Sequence, residues 1–238
     1  MIFFFILLLF NAMVFSSELV EKQLPVKGLT RSYAVNQVQN DTKTLKPLIL
    51  ALHGGGSRWD KFAYKTTQSN LLNAANNHKA IIIFPQGVKN HWNDGRKHLK
   101  NGIDDVAFIS FLIDYSINNY GVDKNKIYVV GFSNGGFMSI RLAIELSDKI
   151  TAIAAVSAQL SEAIQHKKMT GNVSFLLING TQDPIVPYMG GEMKSFRFAK
   201  SRGKLLSTQA TLNYFLTANQ CSDDKKSLFI NCQVSQRC

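Results

Sequence analysis

Residues that interrupt regular structure are scarce in this chain. Its 238 residues include 5 prolines and 16 glycines, and neither type gathers into a repeat or a linker-like stretch. This excludes a collagen-like chain and a flexible spacer. Charged residues are also few, at 18%, whereas hydrophobic residues make up 45%. Such a composition supports a sizeable core, so a disordered protein is excluded, and the length suits one large domain.

Acidic residues are outnumbered, with 16 Asp and Glu against 27 Lys and Arg, and the formal net charge is +11. A basic soluble surface explains this charge, although it also permits adhesion to polyanions or anionic membranes. The basic residues are not interleaved with aromatic ones, and we expect no nucleic acid partner. No spacing of histidine and cysteine suggests a metal site. The glycine loops also lack the Lys-Ser or Lys-Thr of a phosphate-binding loop.

One apolar run stands apart at the N-terminus, from Ile2 to Phe15. A membrane span needs about 20 residues, so this run is short for one. Because small residues follow it, we predict a signal peptide at residues 1–17. The remaining domain, residues 18–238, would be secreted or periplasmic, with no stable membrane association after cleavage. The run has no Lys or Arg before it, and an uncleaved N-terminal anchor is the alternative.

Cysteine is rare, and all three cysteines lie near the C-terminus, at Cys221, Cys232 and Cys238. In an exported protein two of them are expected to pair. Three pairings are open, and each leaves one thiol over.

Several short runs are apolar throughout, which is typical of strands buried on both faces of a parallel sheet. They follow an early, partly alternating strand at residues 28–38 and occupy residues 48–52, 80–84, 127–130, 150–156 and 173–178. Helical patterns lie between or after them, at 103–120, from Phe137 onward, and at 205–215. This alternation predicts parallel β–α–β units in a three-layer α/β fold with a mostly parallel central sheet.

Residues 131–136, Gly-Phe-Ser-Asn-Gly-Gly, fit the pattern G-x-S-x-G. They come directly after a predicted strand and open a predicted helix, which is the setting of a nucleophile elbow. The tight turn would lift the Ser133 hydroxyl clear of the sheet, and the helix N-terminus would favour an anion there. Ser133 is therefore the candidate catalytic nucleophile.

A second glycine-rich segment, His53-Gly54-Gly55-Gly56, ends the predicted strand 48–52. In a hydrolase of this shape such a loop supplies one oxyanion-hole amide, and the residue after the serine supplies the other. The candidates are the amides of Gly54 or Gly55 and of Asn134. His53 is expected to brace the loop or to contact substrate rather than to act as the base.

The catalytic acid is expected in a loop after a later strand. Asp183 follows the predicted strand 173–178 and comes after Ser133 in the chain, which is the order of a Ser–Asp–His triad. Its carboxylate would orient an imidazole and stabilise the charged form. Trp92 and Tyr188 are candidate substrate contacts, with packing an equal alternative.

These segments together resemble the secreted esterase family of polyhydroxybutyrate depolymerases and of feruloyl and acetylxylan esterases. The resemblance covers about residues 30–221 and rests on five segments: residues 52–56, 91–96, 104–106, 121–136 and 180–191. It implies an α/β-hydrolase fold, no cofactor, and hydrolysis of carboxylic esters, polymeric ones included, through an acyl-serine.

The chain departs from that family in one respect, because none of its five histidines follows Asp183. The family places its catalytic histidine on a late loop beyond the last strand. We therefore expect that strand and loop to be missing, the domain to be incomplete at its C-terminus, and activity to be impaired. His166, His91 and His98 are the alternative bases. Two histories fit this departure: a truncated product of a longer gene, or a shortened homologue that has lost catalysis. The rival to an esterase is a non-catalytic protein of the same fold that binds a polymer or partner at the former active-site cleft.

Overall fold

The computed structural model of the chain describes residues 19–36, 44–96, 102–194 and 201–221. The predicted signal peptide, His98, Cys232 and Cys238 lie outside these residues, as does the expected C-terminal boundary of the domain. Cys221 lies just after the last helix as a free thiol.

A seven-stranded sheet forms the centre of the molecule, in the spatial order β1-β2-β4-β3-β5-β6-β7. Strands β3 to β7 are parallel, while β1 and β2 join antiparallel at one side. The strands are β1 (Leu19–Val26), β2 (Leu29–Asn36), β3 (Lys46–Leu52), β4 (Ile81–Pro85), β5 (Val122–Phe132), β6 (Ala152–Val156) and β7 (Ser174–Ile178). The predicted parallel sheet is confirmed, and β1 is an addition that the sequence patterns did not indicate.

Helices cover both faces of this sheet, as the prediction of three layers requires. They are α1 (Asn70–Asn77), α2 (Asp105–Tyr120), α3 (Asn134–Glu145) and α4 (Thr208–Ala218), with a π-helical turn at Lys61–Thr66 and a 3-10 turn at Val88–Asn90. Helix α1 was not predicted. The last helix, expected at residues 205–215, begins at Thr208 instead. Leu205 ends β9 (Ser201–Leu205), which pairs with β8 (Gly191–Lys194). Ser207 explains the boundary, because its side chain caps α4 by accepting from the amide of Ala210.

Alternate residues of the central strands lie in two hydrophobic cores, one on each face of the sheet. In β3, Leu48, Leu50 and Leu52 face α2 and α3, whereas Ala51 faces α1. In β4, Ile81 and Ile83 lie in the first core, and Ile82 and Phe84 in the second. Runs that are apolar throughout are therefore explained by burial on both faces.

At one corner of the sheet, within the described residues, apolar side chains are exposed to solvent. On the α1 face, neighbouring strands place Phe132, Val156 and Ile178 side by side, and one row further place Val130, Ala154 and Leu176. Leu176 is 53% exposed and Ile178 50% exposed. Within the described ranges β7 is the edge strand, and no helix there is long and apolar enough to cross a membrane.

Candidate active site

Ser133 occupies the turn between β5 and α3 with a backbone conformation that side chains rarely adopt. Its φ is 51° and its ψ is −117°, and its amide donates to the carbonyl of Val156 at 2.8 Å. A positive φ at a residue with a β-carbon is strained, and such strain persists only where the surroundings enforce it. The turn presents a half-buried Ser133 at the carboxyl edge of the parallel strands.

The glycines around Ser133 are enforced by contact with backbone. A β-carbon on Gly131 would lie 2.2 Å from the carbonyl oxygen of Gly135, and one on Gly135 would lie 2.2 Å from the carbonyl oxygen of Leu52. A β-carbon on Gly136 would lie 2.8 Å from that of Ala158. The pattern G-x-S-x-G-G thus lets α3 begin in direct contact with the end of β3, and this fixes the serine.

The loop after β3 lies beside the start of α3, as the sequence predicts. A β-carbon on Gly55 would lie 3.4 Å from the β-carbon of Asn134, and one on Gly54 would lie 3.2 Å from the ring of Phe132. The first amides of a helix carry partial positive charge and lack partners within the helix. The structure therefore brings together Ser133, the loop of Gly54 and Gly55, and the helix start at Asn134.

His53 is fully buried and its ring bonds are all internal. Its Nε2 accepts from the amide of Gly87 at 3.0 Å, so its Nδ1 carries the proton and donates to the carbonyl of Gly54 at 2.8 Å. Burial lowers the pKa of His53 to about 4, so the ring is neutral. The expectation of a substrate contact is wrong for this side chain, because it has no exposed surface. His53 instead connects Gly54 to the amide of Gly87 through its two ring nitrogens.

Trp92 is likewise fully buried, so its expected substrate contact is also wrong and the packing alternative applies. Its indole Nε1 donates to the carbonyl of His53 at 2.9 Å, and the two rings lie 4.9 Å apart. Trp92 therefore connects the loop after β4 to the loop of residues 53–56.

Asn134 makes side-chain contacts that the sequence did not reveal. Its Oδ1 accepts from the amide of Trp92 at 2.8 Å, and its Nδ2 donates to the carbonyl of Trp92 at 3.1 Å and to Asp94 at 2.7 Å. Asp94 also binds Arg96, whose guanidinium lies 4.0 Å from the centre of the Phe137 ring. All the polar groups of this network are buried. A buried network with each member paired is rigid, and this one orients the first turn of α3.

Asp183 lies in the turn that follows β7, at the same edge of the sheet as Ser133. Its Oδ1 accepts from the amides of Ile185 and Val186 at 2.8 and 3.0 Å. Asn179 connects this turn to the segment after β6 by bonds to both the amide and the carbonyl of Ala158. A half-buried carboxylate with one oxygen held in this way is fit to orient an imidazole with the other.

The remaining candidates are less closely connected to this site. Tyr188 is half-buried, and its carbonyl accepts from the amide of Thr208 at 3.0 Å. His166 is exposed in the turn after Ser161, and His91 is exposed with its Nδ1 2.9 Å from the carbonyl of Lys89. Within the described part of the chain no histidine hydrogen-bonds to Ser133. Nor does that part hold a group of three His, Cys, Asp or Glu suited to a metal ion.

The parallel sheet, its helices and the serine turn define an α/β-hydrolase fold. Solved structures agree: one named sOPH has a TM-score of 0.61 over 85% of this chain and 78% of that one, at 17% identity. A thermostable esterase has a TM-score of 0.59 over 85% of this chain and 51% of that one, at 16% identity. At these identities the likeness concerns the fold alone.

Residues 33–211 match the model of the phospholipase/carboxylesterase family, and the chain belongs to that family. Feruloyl esterase C of Emericella nidulans is 30% identical over 74% of this chain and 67% of its own length. Feruloyl esterase B of Piromyces equi is 30% identical over 81% of this chain and 36% of its own. NocK of Nocardia uniformis, which carries the name of an esterase, is 30% identical over 71% of this chain. The chain spans half of the length of NocK.

Proposed function

We propose that this protein is a serine esterase that hydrolyses carboxylic esters through an acyl-Ser133 intermediate. The observation that supports this most directly is the strained turn at Ser133, with a φ of 51° between glycines that no larger residue can replace. Backbone strain of this kind is concentrated at functional sites. The names of the relatives, feruloyl and acetylxylan esterases among them, favour the same chemistry.

Each residue of the site has a defined part in this proposal. The Ser133 hydroxyl attacks the ester carbonyl, and the amides of Asn134 and of Gly54 or Gly55 hold the resulting oxyanion. Each such donor contributes about 3 kcal/mol to the stability of the transition state. Collapse of the tetrahedral intermediate expels the alcohol and leaves the acyl-serine, which water then hydrolyses. In a complete triad Asp183 would orient an imidazole that accepts the serine proton and then donates it to the leaving alcohol.

The chain as it stands supplies no histidine after Asp183, so we propose that its turnover is slow. Loss of one triad member lowers kcat by about 10⁴- to 10⁶-fold and leaves the contribution of the oxyanion hole. The substrate class proposed is a polysaccharide ester of ferulate or acetate, or a polyhydroxyalkanoate, met outside the cytoplasm after removal of residues 1–17.

A fluorophosphonate probe tests the nucleophile without requiring turnover. We expect slow covalent labelling of the full chain, located at Ser133 by peptide mass spectrometry, and no labelling of the Ser133→Ala variant. Ser157→Ala is the matched control, because Ser157 also has a positive φ, of 51°, at the end of the neighbouring strand β6. Absence of labelling in protein that remains folded would favour the rival function, a non-catalytic binding protein that uses the same cleft.

A further inference from the structure

The segment from Gly87 to His91 is held in a conformation that its sequence does not favour. Lys89 has a φ of 50° and Asn90 a φ of 61°, two consecutive non-glycine residues in the left-handed region. A β-carbon on Gly87 would lie 2.6 Å from the carbonyl oxygen of His91. Consecutive residues in this region are costly, so surrounding contacts must enforce them.

Those contacts are present and tie the segment to the oxyanion loop. The carbonyl of Asn90 accepts from the amide of Gly56 at 2.8 Å, and its side-chain Oδ1 accepts from Gln86 at 3.2 Å. Trp92, the first residue after this segment, donates from its amide to the side-chain Oδ1 of Asn134 at 2.8 Å. The backbone on both sides of His91 is therefore fixed by hydrogen bonds, to the loop of residues 53–56 and to the start of α3.

The imidazole of His91 faces the oxyanion loop. The position of a β-carbon on Gly55 is 3.3 Å from Cδ2 and 3.4 Å from Nε2 of His91, and 3.4 Å from the β-carbon of Asn134. His91, Gly55 and Asn134 thus converge on one point. Unlike His53 and Trp92, His91 is exposed, so a ligand beside Gly55 and Asn134 can contact it.

The hydrogen bond at Nδ1 decides what the other ring nitrogen can do. Nδ1 lies 2.9 Å from the carbonyl oxygen of Lys89, which can only accept, so Nδ1 carries the proton. In the neutral imidazole Nε2 is then an acceptor with a lone pair, and its partner must be a donor.

We infer that His91 is a substrate-binding residue whose Nε2 accepts a hydrogen bond from a hydroxyl group of the ester, beside the oxyanion hole. This rests on the proposed function of Ser133 and names the substrate class more closely as esters that carry a free hydroxyl. The hydroxyl belongs either to the acyl part, as a phenol, or to the alcohol part, as in a sugar. The site distinguishes such esters from their O-methylated counterparts, which have no proton to donate.

The test compares dissociation constants in the full chain carrying Ser133→Ala, so that no ligand is consumed. One ligand pair is a hydroxycinnamate methyl ester and the same ester with its phenol methylated. The other is a mono-acetylated methyl xyloside and its fully O-methylated counterpart. We expect the hydroxylated member of one pair to bind about three- to tenfold more tightly, the worth of one neutral hydrogen bond. The pair that shows the difference identifies the source of the hydroxyl.

The variants assign this discrimination to His91. His91→Phe should abolish the preference, and His91→Gln should restore part of it because its amide oxygen also accepts. His78→Phe is the matched control, since His78 is an exposed histidine at the end of α1, and it should keep the full preference. Equal binding within both pairs, no binding of either pair, or a preference that survives in His91→Phe would overturn the inference. Because labelling at Ser133 is measured on the unsubstituted chain, failure of the esterase proposal is seen separately.

Discussion

The glycines at the serine turn cannot take a side chain unless backbone moves. Gly135 illustrates the reason, because its α-carbon faces the carbonyl oxygen of Leu52 with no room for a methyl group. The opposing atom is backbone of a central strand, so it cannot move aside as a side chain would.

Gly135→Ala should lower the free energy of unfolding by about 3 kcal/mol, the upper range for overpacking of a core. Urea denaturation followed by circular dichroism measures it. Gly180→Ala is the matched control, because the nearest atoms to its added β-carbon are 3.9 Å away and its φ is not positive. A Gly135→Ala protein as stable as the Gly180→Ala protein would contradict the packing described.

His53 makes stability depend on pH. Its pKa is lowered to about 4 by burial, whereas an unfolded histidine has a pKa of about 6.5. Below 6.5 the unfolded state binds a proton that the folded state does not, so stability is complete above pH 6.5 and is lost as the pH falls towards 4. The expected loss between pH 7.5 and pH 5 is about 2 kcal/mol.

Urea unfolding at the two pH values checks this, with His53→Gln as the comparison. Glutamine does not titrate, so the variant should show a smaller difference between pH 7.5 and pH 5. An equal difference in both proteins would mean that other groups cause it.

For single residues, the sequence predicts a position correctly where that position depends only on neighbouring residues in the chain. The glycine spacing and the strand before it sufficed to place Ser133, and Asp183 emerged at the same edge of the sheet. Burial is not local, and for that reason the sequence predicts substrate contacts for His53 and Trp92, two side chains that the fold buries. Both lie in loops after strands, where exposed and buried aromatic rings have the same sequence pattern.

Among the elements, α3 is the one that carries the site, and its first turn depends on the loop of residues 91–96. Asn134, Asp94 and Arg96 connect the two through buried bonds. Removing one partner of a buried ion pair leaves the other charge without compensation.

Asp94→Ala should therefore lower the free energy of unfolding by about 3–5 kcal/mol. It should also slow fluorophosphonate labelling of whatever protein remains folded. Lys27→Ala is the control, since it breaks the exposed pair with Asp104 at 2.6 Å, for which a loss below about 1 kcal/mol is expected. Similar losses in the two variants would show that the buried network does not stabilise the turn.

The elements that the sequence missed share a physical cause. Strand β1 is exposed at most of its positions, and α1 has only 8 residues, too few for its apolar period to stand out in the sequence. Residues 201–205 contain too few apolar side chains to reveal a strand, and they pair only because β8 lies beside them. Tertiary contacts decide such segments, and one-dimensional patterns do not contain them.

For the whole molecule, the exposed apolar corner of the sheet is the surface at which we expect self-association. Leu176 and Ile178 are exposed on β7, next to Val156 and Phe132 of the neighbouring strands. An exposed apolar edge strand invites pairing between chains, which the net charge of +11 opposes.

Replacing both Leu176 and Ile178 by lysine should reduce self-association without loss of fold. Light scattering as a function of protein concentration measures the effect, and circular dichroism reports the fold. Leu177→Lys is the matched change on the opposite face, where the side chain packs against the core, and it should unfold the protein. If the double variant associates as strongly as the starting protein, this corner is not the contact surface.

The contact between Gly135 and the end of β3 also constrains how this scaffold can be diversified. A random library that includes the serine turn would consist largely of proteins that do not fold, because backbone meets backbone there. We expect variation to be tolerated better at the exposed side chain of His91, which lies beside Gly55 and Asn134. New substrate specificities are therefore to be sought by varying exposed side chains near the site while the glycines of the serine turn are kept constant.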